Sequence, residues 1–205
     1  FAVGIHPYDI DKFDESTMEK YVNHPKCIAI GECGLDYFRL PEDEFEKQEN
    51  IKKQKEVFIA QINFAKKVKK PLIVHIREAS NDSRQILIDC NAKEVGGVLH
   101  CFNASEHLLP LVEHNFYFGI GGVLTFKNAK KLVEILPQIP KDKLLIETDA
   151  PYLTPHPHRG ERNEPYYTVF VAQKMAELLN ITEEEMQELT TNNAKKLFKE
   201  FSSLS

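Results

Sequence analysis

The chain has 205 residues, of which 42% are hydrophobic and 28% charged, the balance of an ordinary folded domain with room for a sizeable core. Its formal net charge of −5 excludes broad electrostatic capture of nucleic acid, so a phosphate-bearing substrate has to be held locally by arginine, histidine or metal. No apolar run approaches the ~20 residues that cross a bilayer and no signal-like segment opens the chain, so a cytoplasmic location without a membrane partner is expected.

Short aliphatic runs recur along the chain: FAVGI (1–5), CIAIG (27–31), PLIVH (71–75), GGVLH (96–100), FYFGI (116–120) and KLLIE (143–147). They are continuously apolar rather than alternating, which predicts strands covered on both faces, as in a parallel sheet. Helices are expected between them. Ser16-x-x-Glu19 reads as a capping box and Asn103-x-x-Glu106 as an N-cap pattern at two helix starts. The longest helix is expected over 50–70, where Ile51, Phe58, Ile62 and Ala65 share one face. Its KKQK and KKVKK runs read as a solvated face. Further helices are expected over Asn128–Leu136 and Pro165–Leu179, and a last one from the Thr182-x-x-Glu185 box to about Phe198. The four cysteines, Cys27, Cys33, Cys90 and Cys101, show no C-x-x-C spacing, so buried, reduced thiols are expected rather than a disulfide or zinc scaffold.

This is a βα repeat in one domain, residues 1–205, of α/β class. On topology alone an open doubly wound sheet and a (β/α)8 barrel both remain open, since six strands are counted and a barrel needs eight. The chemistry lies where the strands end. CIAIGE ends on Glu32, PLIVH on His75, GGVLH on His100 and LLIETD on Asp149, while FAVGIH adds His6. In a parallel sheet these ends share one edge, so residues distant in the chain converge there. Glu, Asp and His without Cys suit Mg²⁺, Mn²⁺ or Zn²⁺, and a bridging carboxylate would favour two ions. Taken singly, each has a plain structural reading as a turn former or a hydrogen-bonded histidine; four at equivalent strand ends argue for a site. Arg77 in HIRE and Arg159 in PHPHRGERNEP offer planar donor forks for phosphate oxygens, or else pin their own surroundings. His156 and His158, on the same loop, are weaker ligand candidates.

GIHPY, IGECGLDYFR, VHIREA, GGVLHCF, IPKDKLLIETDAPYLTP, RGERNEP and TNNAKKLF together resemble the TatD family of metal-dependent deoxyribonucleases, over nearly the whole chain and in the family's order. The resemblance implies a TIM-type (β/α)8 barrel with divalent metal, two ions and Mg²⁺ first, at its mouth. It implies Glu32 as the metal-bridging ligand, His75 and His100 as further ligands, and Asp149 as a ligand that also takes a proton from the attacking water. His6, Arg77 and Arg159 match positions near the substrate. The family opens with an H-x-H pair that does not precede Phe1, so the expectation is that the first one or two βα units are missing from this chain. Tyr8 stands where some members carry a second histidine. The activity expected is hydrolysis of DNA phosphodiester bonds from a strand end, with no obligate protein partner. D-aminoacyl-tRNA deacylation, or another ester or amide hydrolysis on the same metals, is the alternative. A non-catalytic binding protein is the third reading.

Overall fold

The computed structural model describes residues 1–199. Its strands and α-helices, in chain order, are β1 (Ala2–Val3), α1 (Glu15–Val22), β2 (Ala29–Asp36), α2 (Glu44–Val68), β3 (Leu72–Arg77), α3 (Ser80–Asp89), β4 (Gly97–Leu99), β5 (Phe116–Ile120), α4 (Lys130–Ile135), β6 (Leu144–Ile146), α5 (Thr168–Leu179) and α6 (Glu183–Leu197), with a 3₁₀ helix rather than an α-helix between β4 and β5. All neighbouring strands are parallel, and the sheet runs in chain order from β1 to β6. A doubly wound sheet reverses its order at a switch point. This one never does, and unreversed order is the wall of a TIM-type barrel. The topology therefore decides between the two architectures that strand counting left open.

Strand periodicity sorts side chains between the two faces. Leu72, Val74 and Ile76 of β3 join the large core formed with the helices, while Ile73 joins a smaller cluster with Val98, Tyr117 and Leu145. His75 and Arg77 share the face of Ile73 and so point away from the large core; the C-terminal end of α6, through Ala194 and Leu197, packs in the smaller cluster on this face. Strand β2 is less regular. Ile30 pairs with Leu72 but Cys33 pairs with Val74, a bulge of one extra residue. Ile30 and Cys33 both reach the helix-side core, and the inserted residue turns Glu32 the other way. Glu32 therefore lies inside β2 rather than at its end, because the ladder resumes and runs on to Asp36.

Several local expectations need correction. Asp14, not Ser16, caps α1: its carboxylate accepts from the Ser16 N–H at 3.0 Å and from the Ser16 and Thr17 hydroxyls. Asp serves as well as Ser at this position, so the helix starts two residues early. Asn103 does not cap a helix. Its Oδ1 accepts from the Ser105 N–H at 3.0 Å, and a 3₁₀ helix over Glu106–His114, carrying Pro110, follows. The Thr182–Glu185 capping box forms as expected. Helix α2 begins at Glu44, capped by Asp43, and buries Phe58, Ile62 and Ala65. Its polar face is not wholly solvated: Lys70, just past the helix, is buried and donates to the Cys27 carbonyl at 2.7 Å. All four cysteines are free thiols; Cys27 and Cys33 are buried and Cys90 and Cys101 half-buried.

Two buried glutamines on α2 do structural work at the sheet edge. Gln54 Oε1 accepts from the Asp36 N–H at 2.9 Å while its Nε2 donates to the Asp36 carbonyl at 2.9 Å. Gln61, two helical turns on, repeats the pattern with Ile5 at 2.7 and 2.9 Å. Each primary amide stands in for a missing strand partner and fixes the backbone at a strand's end. Replacing Gln54 by Ala leaves two buried backbone groups unpaired, at ~1–3 kcal/mol each, whereas Lys52→Ala on the exposed face is expected to stay within ~0.5 kcal/mol. Urea denaturation of both variants checks this; equal midpoints would refute the clamp.

Candidate metal centre

Glu32 is the hub of the site. Gly34, at φ 144°, lets β2 press against β3 there, since a Cβ would collide with the His75 carbonyl. Glu32 Oε1 lies 2.8 Å from His75 Nδ1, 3.9 Å from His6 Nε2 and 4.0 Å from His100 Nε2. His6 Nε2 and His75 Nδ1 are 3.4 Å apart, and His100 Nε2 lies 3.3 Å from Asp149 Oδ1. One carboxylate thus stands between a His6–His75 pair and a His100–Asp149 pair. These residues line one cavity of about 580 Å³, whose wall includes Arg77, Phe102 and Tyr152.

Two further carboxylates grip the outer nitrogens of the histidines. Asp36, only 1% exposed, places Oδ2 2.8 Å from His75 Nε2, and its Oδ1 accepts from the Phe38 N–H. Glu147 Oε2 lies 2.8 Å from His100 Nδ1, and its Oε1 accepts from the Cys101 N–H at 2.7 Å. Gly119 makes room for Glu147, because a Cβ there would meet its carboxylate. An ionised carboxylate only accepts, so a proton sits on each gripped outer nitrogen; the inner nitrogens face Glu32 and Asp149 and become lone pairs when a cation takes the place of their protons. His75 therefore presents Nδ1 to the cavity and His100 presents Nε2. Histidines that ligate metals are commonly oriented in this way.

The electrostatics agree. Four carboxylates, Glu32, Asp36, Glu147 and Asp149, face three imidazoles. Burial alone would lower His100, but its bonds to Asp149 and Glu147 outweigh burial and push it up to about 10. His75 is also raised: burial opposes, and the bonds to Glu32 and Asp36 prevail. His6 goes the other way, lowered first by burial and then by His75, and its Nδ1 accepts from the Tyr8 N–H at 3.1 Å. Burial tends to raise Glu32, yet the His75 bond holds it below the usual carboxylate range. Burial, then Glu147, push the Cys101 thiol up to about 12.

Asp149 itself adopts a left-handed φ of 56°, a conformation that costs a non-glycine residue ~1 kcal/mol or more. Its loop is held by Asn163, which is buried and donates through Nδ2 to the Thr148 and Tyr152 carbonyls at 2.7 and 2.6 Å. The Asn163 N–H donates to the Pro151 carbonyl. Arg77 lines the cavity, with its guanidinium 3.5 Å from the Phe38 ring centroid. Arg159 is placed otherwise: it donates to the Thr154 carbonyl at 3.2 Å and covers the Phe126 ring, outside the cavity lining. His156 and His158 also lie outside that lining; His158 stacks on Tyr167 and bonds Glu161.

Residues 1–199 match the family model described as TatD related DNase. The chain belongs to this family. It is 47% identical over 204 residues to the uncharacterized metal-dependent hydrolase YabD of Bacillus subtilis, covering 97% of this chain and 76% of that protein. It is 36% identical over 210 residues to the 3'-5' ssDNA/RNA exonuclease TatD of Escherichia fergusonii, covering 96% and 76%. Among solved structures, that of the TatD homologue YJJV from Escherichia coli superposes with a TM-score of 0.83 at 26% identity, covering 97% of this chain and 76% of that one. This TatD-family chain is thus a metal-dependent hydrolase by kinship, on a TIM-type α/β frame.

Its residues fit a divalent cation. His6, Glu32 and His75 each offer one donor atom, all within 4.8 Å of one another, and the surplus of carboxylates over imidazoles leaves negative charge for a cation to balance. His6, expected from the sequence as a substrate contact, stands in this donor group. Asp36, Glu147 and Asn163 went unread in the sequence. An acidic residue inside an apolar run, as in GLDYF, was a usable signal, because a buried acid needs a partner. Asp36→Asn and Glu147→Gln are each expected to weaken metal binding roughly 10–100-fold. Gly119→Ala should do the same by displacing the Glu147 carboxylate while the fold stays intact. Calorimetric titration with Mn²⁺ measures all three, and wild-type affinity throughout would refute the orienting role.

Proposed function

We propose that this TatD-family chain hydrolyses DNA phosphodiester bonds from a strand end, as one domain over residues 1–205. The observation that carries the reading is the cavity floor, where Glu32 stands between His6–His75 and His100–Asp149 with Arg77 at the rim. The Escherichia fergusonii relative, named as an exonuclease on single-stranded DNA and RNA, supports a nucleic-acid substrate. Mg²⁺ is the first candidate metal, with Mn²⁺ and Zn²⁺ as alternatives, and a cytoplasmic setting belongs to the same proposal.

In this reading Glu32, His75, His100 and Asp149 would hold the metal, with His6 close enough to share in it. A divalent cation held there would supply an acidified water and neutralise charge on the phosphate. Asp149 faces the cavity from a strained backbone that fixes its direction, and it accepts the proton of the attacking water. As the new oxygen–phosphorus bond forms, the bond to the leaving oxygen breaks on the opposite side, and that oxygen takes up a proton from solvent. Arg77 presents its guanidinium to the non-bridging oxygens, where negative charge grows. Arg159 acts one step back, bracing the loop that follows Asp149.

Release of nucleotides from an end-labelled DNA strand, with Mg²⁺ or Mn²⁺ added, tests the reading. Chelation is expected to abolish activity, and Glu32→Ala and Asp149→Ala to lower it on the order of 10²-fold or more. Undiminished turnover in both variants would end these roles. Turnover of a D-aminoacyl-tRNA without DNA cleavage would move the assignment to ester hydrolysis. Absence of bound metal together with absence of turnover would make the chain a binding protein.

A further inference from the structure

Large apolar side chains turn outward at the cavity mouth. Tyr8 is 45% exposed and Tyr152 71% exposed, and both line the cavity. Phe38, 48% exposed, carries the Arg77 guanidinium on its face at 3.5 Å, and Arg39 lies over the Tyr8 ring at 5.8 Å. The backbone of Tyr152 is fixed, since its N–H bonds the Asp149 carbonyl at 2.9 Å and its own carbonyl is held by Asn163. Its exposed ring shares the cavity lining with Asp149, the carboxylate assigned to proton transfer.

We propose that Tyr152, Tyr8 and the Phe38–Arg77 stack form a platform on which unpaired bases of the incoming strand stack. The inference rests on the phosphodiesterase reading and adds that recognition runs through the bases as well as the phosphates. Every base has a π-face, so aromatic platforms bind single strands with little sequence preference, and arginine reinforces them. In a duplex those faces are covered by neighbouring pairs, so an unpaired end has more to offer. The chain's net charge of −5 gives little general attraction for a polyanion, which leaves stacking a large share of the hold.

The test compares kcat and KM on an unpaired DNA strand and on the same strand with abasic terminal nucleotides, with Mn²⁺ present. Wild-type protein is expected to show the lower KM on the strand that has its bases. Tyr152→Ala should raise that KM on the order of tenfold, change kcat far less, and add little on the abasic strand. Tyr152→Phe, which keeps the ring, should restore wild-type KM. Turnover with equal KM on both strands, or a KM rise of equal size on both in Tyr152→Ala, overturns the platform and leaves the phosphodiesterase reading standing. No turnover of either strand by the wild-type protein overturns both.

Discussion

Glu32 Oε1 lies within 4.0 Å of imidazole nitrogens from His6, His75 and His100, which follow or close three different strands. Bringing one carboxylate that close to three rings requires the bulge in β2 and the contact of Gly34 with β3. It also brings negative charges together, since Asp36, Glu147 and Asp149 surround the same rings. Such a cluster is stable in two ways. Protons can load onto the histidines, which is why His75 and His100 are raised above their ordinary values, or a cation can take their place. The second alternative ties the geometry to the family's metal-dependent chemistry.

Around this hub the chain spends buried polar groups on direction. Gln54 fixes the backbone of Asp36, Asp36 turns His75, and His75 meets Glu32. Gln61 does the equivalent for Ile5, the residue before His6. On the far side Gly119 admits Glu147, Glu147 turns His100, and Asn163 holds the loop that carries Asp149. Each link is a satisfied hydrogen bond in a low-dielectric setting, where loss of one partner is costly and misdirection of a ligand follows. Helix α2 and the loop around Asn163 are therefore parts of the site without lining it.

All six strand runs were legible because each is an unbroken apolar run, the signal of a parallel sheet with most of its residues covered; β5 is buried throughout, while β1 is only partly buried. The convergence of Glu32, His75, His100 and Asp149 followed from the parallel arrangement, which puts the ends of such runs at one edge. The extent of β2 was not legible. GEC interrupts the apolar run, so the strand was read as ending at Glu32, and the bulge that carries it on to Asp36 leaves no periodic trace. Asp36 and Glu147 were overlooked for a related reason: their partners lie 39 and 47 positions away, beyond any local pattern. LLIETD carried two carboxylates from the start, and both are used, one on each nitrogen of His100. The two arginines were the least readable. Arg77 and Arg159 look alike in sequence, but one reaches the cavity rim and the other covers Phe126.

The account stands or falls on whether those converging side chains hold a cation. Anomalous diffraction from crystals of the protein grown with Mn²⁺ asks this directly. The account predicts a peak within ligand distance of Glu32 Oε1 and His75 Nδ1, with His100 Nε2 and Asp149 facing the same density. A map with no peak in that cavity, or with manganese bound only elsewhere, would contradict it.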